Sequence, residues 1–79
     1  MALVTSIEES PKQRQTVHRP TRCLYSIVEG NKGERYLQLD TLGSDERQFA
    51  DKVSQSIQFD RRAAEELLRL LRETFPDLS

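Results

Sequence analysis

The side chains able to do covalent chemistry are few in this sequence. Cys23 and His18 stand on either side of Pro20, where a thiolate and an imidazole could act as nucleophile and base. No neighbouring residue is recognisable as a group that would orient the imidazole or supply an oxyanion donor. We therefore expect a buried structural thiol at Cys23, a solvated imidazole at His18 and no enzyme activity.

Adjacent carboxylates are the second candidate for chemistry. They occur at Glu8-Glu9, Asp45-Glu46 and Glu65-Glu66. General acid–base catalysis needs one carboxyl group in an apolar pocket that raises its pKa. These pairs fall in a tail, a turn and the outer face of a helix, so we interpret them as solvated.

Metal and phosphate sites are not indicated either. A single cysteine and a single histidine do not make a four-ligand zinc site. The turn Gly30-Asn31-Lys32-Gly33 lacks the Gly-Lys-Ser/Thr ending of a phosphate loop and joins one strand to another. We expect no metal and no cofactor.

Charge is distributed unevenly along the 79 residues. Residues 1–22 carry four basic and two acidic side chains, whereas residues 23–79 carry eight basic and eleven acidic ones. The acidic body argues against a generic duplex-DNA binder, which usually presents a basic field. The arrangement predicts a flexible basic N-terminal arm over 1–22 and a single small domain over 23–79.

The beginning of the chain predicts neither export nor membrane insertion. Met1 to Ile7 has no basic region before Glu8, unlike a signal peptide. No stretch approaches the roughly 20 apolar residues of a membrane span. We expect a soluble cytoplasmic protein without a membrane partner. Because domains of this size bury only about 60% of their unfolded surface, we also expect a homodimer.

The elements that must position any site follow from the hydrophobic period. Cys23 to Glu29, Arg35 to Leu42 and Val53 to Phe59 have strand composition or alternate with period two. Arg47 to Lys52 fits either a loop or a short edge strand, and the sequence does not decide between them. We predict an α+β fold with a curved antiparallel sheet of three or four strands followed by one C-terminal amphipathic helix.

The period changes sharply at Asp60, which is a good N-cap for that helix. Pro76 is expected to end it. The apolar residues between them take helical spacing, and Ala63 and Leu70 widen the stripe. The residues at that spacing are Ala64, Leu67, Leu68, Leu71 and Phe75.

The outer face of the sheet is the one surface that suggests binding. An aromatic ring offers a stacking platform of about 1–3 kcal/mol per base, and amides and hydroxyls can contact base edges. A polar sheet face that is simply solvated is the alternative, and spacing alone favours it. The face comprises Tyr36, Gln38, Ser54, Ser56 and Gln58, with Lys32, Arg35 and Lys52 at its rims.

The order of these segments resembles one PUR repeat. The matching segments are Leu24 to Val28, the turn Gly30 to Gly33, Arg35 to Leu39, Ser56 to Phe59 and Ala63 to Leu67. PUR repeats bind purine-rich single-stranded nucleic acid through a β-β-β-β-α unit, and two repeats intertwine with the help of their helices. Related coactivator and Whirly-type single-stranded DNA binders share the final strand-to-helix step.

The resemblance implies a non-catalytic protein that binds single-stranded DNA or RNA as an intertwined homodimer. Tyr36 would stack on a base, and Lys32, Arg35 and Lys52 would hold phosphates. Polar contacts would come from Gln38, Ser56 and Gln58, and the dimer interface from Leu67, Leu70 and Leu71. Gln38 departs from the family, which has lysine there, and aligning the first strand requires a shift of one residue, so the side on which Tyr25 lies stays open. The alternative function is a small dimeric protein-interaction module.

Overall fold

The computed structural model describes residues 1–12, 15–43 and 52–79, which form an α+β fold. Its elements are β1 (Ala2–Val4), β2 (Cys23–Glu29), β3 (Arg35–Leu42), β4 (Val53–Phe59) and α1 (Arg61–Thr74). The predicted class and the single C-terminal helix are confirmed. The segment from Arg47 to Lys52 that the sequence left undecided lies outside the described residues except for Lys52.

The four strands make one mixed sheet in the order β1-β4-β3-β2. The pairs β2–β3 and β3–β4 are antiparallel, but β1 runs parallel to β4. The prediction of a purely antiparallel sheet is therefore wrong, and three residues assigned to the arm belong to the sheet. A strand as short as Ala2–Val4 is too short to show an alternating pattern, and it forms because the edge of β4 is available to it.

The turn between β2 and β3 is the predicted hairpin. The Gly30 amide donates to the Glu34 carbonyl at 2.8 Å. Gly33 has a φ of 82°, a left-handed conformation that costs a glycine nothing because it has no Cβ. The turn fixes the register in which Tyr25 lies opposite Leu39 and Ile27 opposite Leu37.

The junction between β4 and α1 also agrees with the prediction. The Asp60 carboxylate accepts from the Ala63 amide at 2.9 Å, as an N-cap does. At the other end the Phe75 amide donates to the Leu71 carbonyl at 2.9 Å, just before Pro76. The Asp60 amide donates to the Val4 carbonyl at 3.3 Å, which ties this junction to β1.

The core is small. Among the described residues, the buried apolar side chains are Leu42, Phe59 and Ala63. Ala63 was predicted only to widen the helical stripe, yet it is completely buried. Only Asp60 separates α1 from the buried Phe59, so the third residue of the helix, Ala63, lies close to the sheet. The half-buried Leu67 and Leu70 follow at helical spacing.

Candidate functional site

The register of β3 and β4 brings polar side chains together on the face opposite Phe59. Gln38 lies opposite Gln58, and Asp40 lies opposite Ser56. Gln58 Nε2 donates to Gln38 Oε1 at 2.9 Å, and Gln38 Nε2 donates to Asp40 Oδ1 at 3.0 Å. The Ser56 hydroxyl donates to the same Asp40 oxygen at 2.6 Å. We call these four residues the polar ladder, and it unites three of the predicted site residues.

The polar ladder is better suited to base edges than to phosphates. The Asp40 carboxylate carries a negative charge near the middle of the sheet face and would repel a phosphate. The amides of Gln38 and Gln58 each have two N–H donors, of which the ladder uses one. The remaining donors and the amide oxygen of Gln58 can meet a neutral polar ligand.

A groove of about 520 Å³ lies at the end of β3 nearest the hairpin turn. Because Leu37 lies opposite Phe59, Tyr36 comes opposite Asp60, and two arginines follow at the start of α1. The groove is lined by Gly33, Glu34, Arg35, Tyr36, Asp60, Arg61 and Arg62, and we call it the Tyr36 groove. It holds three guanidinium groups against two carboxylates.

Two of the guanidinium groups of the Tyr36 groove make exposed ion pairs with carboxylates outside it. Arg35 Nε lies 3.9 Å from the Glu29 carboxylate, and Arg61 Nε lies 3.5 Å from that of Glu65. Both pairs are exposed, and exposed pairs of this kind contribute about 0–1 kcal/mol. An anionic ligand could therefore compete for these arginines at little cost.

Sequence reasoning missed Arg61 and Arg62. They stand just after the predicted N-cap, and the predicted site did not include them. The signal that could have found them was the pairing of the two strands, because it places the residues after Phe59 beside Tyr36. That pairing depends on register, which the sequence pattern alone did not fix.

Hydrogen bonds hold Glu34 beside this groove. Its carboxylate accepts from the Lys32 amide at 2.7 Å. Its own backbone amide and then that of Lys32 hold the pKa of Glu34 below its usual value. Partial loss of hydration, followed by the charge of Glu34, raises the pKa of Tyr36. The Tyr36 phenol therefore stays neutral across the ordinary pH range.

We expect Glu34→Gln to lower thermal stability near neutral pH and the difference to disappear as the pH falls through the lowered folded-state pKa of Glu34. A carboxyl group whose pKa is depressed on folding stabilises the fold above its unfolded pKa, and that stabilisation is lost as pH falls through the folded pKa. Melting temperatures of both proteins across the acid range should converge on acidification. Glu73→Gln, which alters a carboxylate on the helix surface, is the control, and equal pH dependence of the two variants would contradict the expectation.

The predicted rim cations are not brought together. Arg35 adjoins Tyr36 in β3, so the two side chains leave opposite faces of the strand although both line the end of the groove. Lys32 lies in the hairpin turn, whereas the Lys52 carbonyl accepts from the Gly43 amide at 2.6 Å, beyond the other end of β3. The length of β3, about 25 Å at strand rise, separates the two lysines.

The helix side of the sheet carries exposed apolar groups that sequence reasoning did not anticipate. Tyr25 and Ile27 share the face of Leu37 and Leu39 but are 73% and 62% exposed.

Cys23, predicted to be buried, is exposed on the same strand. The prediction for Cys23 is wrong because β2 is the outermost strand and α1 packs over β3 and β4. His18 is exposed, as expected.

The leucines predicted to form a dimer interface divide into two groups. Leu67 and Leu70 are half-buried, whereas Leu71 is exposed. Leu71 and Leu68 on α1 are exposed, and so is Phe75, the residue that caps the helix. The three predicted residues share one side of α1 by their i, i+3, i+4 spacing but differ in exposure, and their role in a dimer stays a prediction.

No protein family model, curated protein or solved structure matches this chain. Within residues 1–12, 15–43 and 52–79, no group of three or more His, Cys, Asp or Glu could hold a metal ion. In the same ranges, no helix has the length and apolar composition needed to cross a bilayer.

Proposed function

We propose that this chain is a non-catalytic cytoplasmic protein that binds single-stranded DNA or RNA as a homodimer. The observation that carries the proposal is the Tyr36 groove, which Tyr36 lines together with Arg35, Arg61 and Arg62 at the edge of the polar sheet face. Guanidinium groups bind phosphates, and aromatic rings stack on bases without regard to sequence. The resemblance to PUR repeats supports the same reading.

In the proposed complex, the backbone and the bases of the nucleic acid contact different parts of the sheet. Its backbone would lie along the guanidinium groups of the Tyr36 groove, where the local charge is positive. Its bases would extend over the polar ladder, where amide donors of Gln38 and Gln58 are free and Asp40 disfavours phosphate. This arrangement predicts affinity through the groove and selectivity through the ladder.

We expect Arg62→Gln to weaken binding of a fluorescent single-stranded oligonucleotide roughly two- to fivefold at low salt, the value of one exposed ionic contact. The slope of log affinity against log salt should become shallower by about 0.7, because one fewer phosphate is neutralised. Fluorescence anisotropy titrations over a salt series measure both quantities.

Arg72→Gln is the matched control, since it removes the same charge from the last turn of the same helix. It should leave both quantities unchanged. Equal losses in the two variants would mean that net charge alone attracts the oligonucleotide, and absence of binding at low salt would refute the proposal.

A protein-interaction module is the second candidate. It is favoured by the exposed apolar side chains Tyr25, Ile27, Leu68 and Phe75, which nucleic-acid binding on the opposite face does not use. Exposed apolar surface of this kind commonly marks a protein interface.

A further inference from the structure

Strand β2 is an open edge of unusual composition. The sheet ends in β1 on one side and β2 on the other, and β1 has only three residues. The seven residues of β2 contain neither proline nor lysine, and the sole charge is Glu29 at the end. Edge strands normally carry proline or charged residues, because their unpaired main-chain groups would otherwise pair with another strand.

The hydrogen bonds flanking β2 show which main-chain groups face outward. The Leu42 amide donates to the Arg22 carbonyl at 3.2 Å, and the Gly30 amide donates to the Glu34 carbonyl at 2.8 Å. Even-numbered residues of β2 therefore direct their main-chain groups toward β3. Since this direction alternates along an antiparallel strand, Tyr25 and Ile27 direct theirs away from the sheet.

We propose that β2 pairs antiparallel with β2 of a second copy about a two-fold axis at Ser26. Tyr25 would then lie opposite Ile27 of the other copy, and Leu24 opposite Val28. Both faces thus acquire apolar pairs, and the outward groups of Tyr25 and Ile27 form a hydrogen-bonded pair. The two sheets become one of eight strands, with the polar ladders on one side.

The choice of a second copy rests on self-complementarity and on area. The chain exposes 7526 Å², whereas a folded monomer of this mass exposes about 4,900 Å². The difference is about 2,600 Å² per chain, or about 5,200 Å² for two chains, which is at the upper end of what obligate dimers bury in total. Exposed arm residues outside β2, such as 15–22, account for part of it. Another part lies in the exposed residues 23–27, which are most of β2.

The test uses residue 26, because it lies on the proposed two-fold axis. In the variant Cys23→Ser/Ser26→Cys, the two new thiols would face each other in a non-hydrogen-bonded pair with Cα atoms about 4.5 Å apart. That separation lies within the range of a disulfide. Air oxidation should convert most of the protein to a covalent dimer on non-reducing electrophoresis.

The control is Cys23→Ser/Leu24→Cys, which places a thiol at another exposed position on the same face. Its two cysteines would lie about 14 Å apart along the paired strands and should not link. Equal linking in the two variants, or none in either, would overturn the proposal. Preferential linking through residue 24 would also overturn it, because it requires another register.

A second variant tests the interface without cysteine chemistry. Ile27→Pro removes an amide that points away from β3, so the fold should persist while pairing between copies is lost. Sedimentation should show a dimer for the native chain and a monomer for the variant, with similar circular dichroism. A monomeric native chain would refute the dimer. A dimeric native chain that does not bind the oligonucleotide would refute only the proposed function.

Discussion

Phe59→Ala should be among the most destabilising single changes in this chain, lowering the free energy of unfolding by about 3–5 kcal/mol. The side chain is only 7% exposed and occupies the last position of β4, opposite Leu37. Removing it takes away the ring against which the start of α1 is placed and leaves a cavity. Since domains of this kind are stable by only about 5–15 kcal/mol, this loss would remove a large share of the total stability.

Phe75→Ala provides the matched control, because the same ring is deleted where it is 52% exposed at the end of α1. Urea unfolding followed by circular dichroism should show a loss several times smaller than for Phe59→Ala. Equal losses would mean that Phe75 is covered in solution and that the helix surface takes part in an interface.

Leu42→Ala should lower the free energy of unfolding by about 2–5 kcal/mol. Leu42 is 5% exposed, and it lies where the β3–β4 register shifts after Thr41. The Thr21 hydroxyl donates to its carbonyl at 3.1 Å. The side chain therefore anchors the end of β3 farthest from the hairpin, where the ladder is irregular.

The control for this second change is Leu68→Ala, a leucine that is 49% exposed on α1. It deletes the same atoms from a leucine. Because leucine and alanine have similar helix propensities, the substitution in α1 has little effect through propensity. Thermal and urea unfolding should show a clearly larger loss of stability for Leu42→Ala than for Leu68→Ala. A larger loss for Leu68→Ala would place the main apolar contact of the protein on the outside of the helix.

The elements were predictable wherever a residue pattern was long enough to repeat. The alternation from Val53 to Phe59 and the change of period at Asp60 are each determined by neighbours within a few residues, and the structure confirms both. The shared face of Gln38, Ser56 and Gln58 followed from the same alternation. Strand β1 did not, because Ala2–Val4 gains its structure from β4 and has no pattern of its own.

Exposure was harder to predict than secondary structure. Tyr25, Ile27 and Cys23 have the composition of a covered strand, but α1 packs over β3 and β4. Which strand ends at the edge depends on sheet order, and no local pattern specifies it. The Tyr36 groove has the same origin, since Arg61 reaches Tyr36 only through the pairing of two distant segments.

The pairing of β1 with β4 has a consequence for the order of folding. Ala2 is aligned with Ile57, so this contact closes a loop that contains most of the chain. The β2–β3 hairpin and α1 involve only local contacts and can form early, whereas loop closure of this length is slow. We expect the parallel strand to join last, so that the edge of β4 is briefly open in a nearly complete sheet during every folding event.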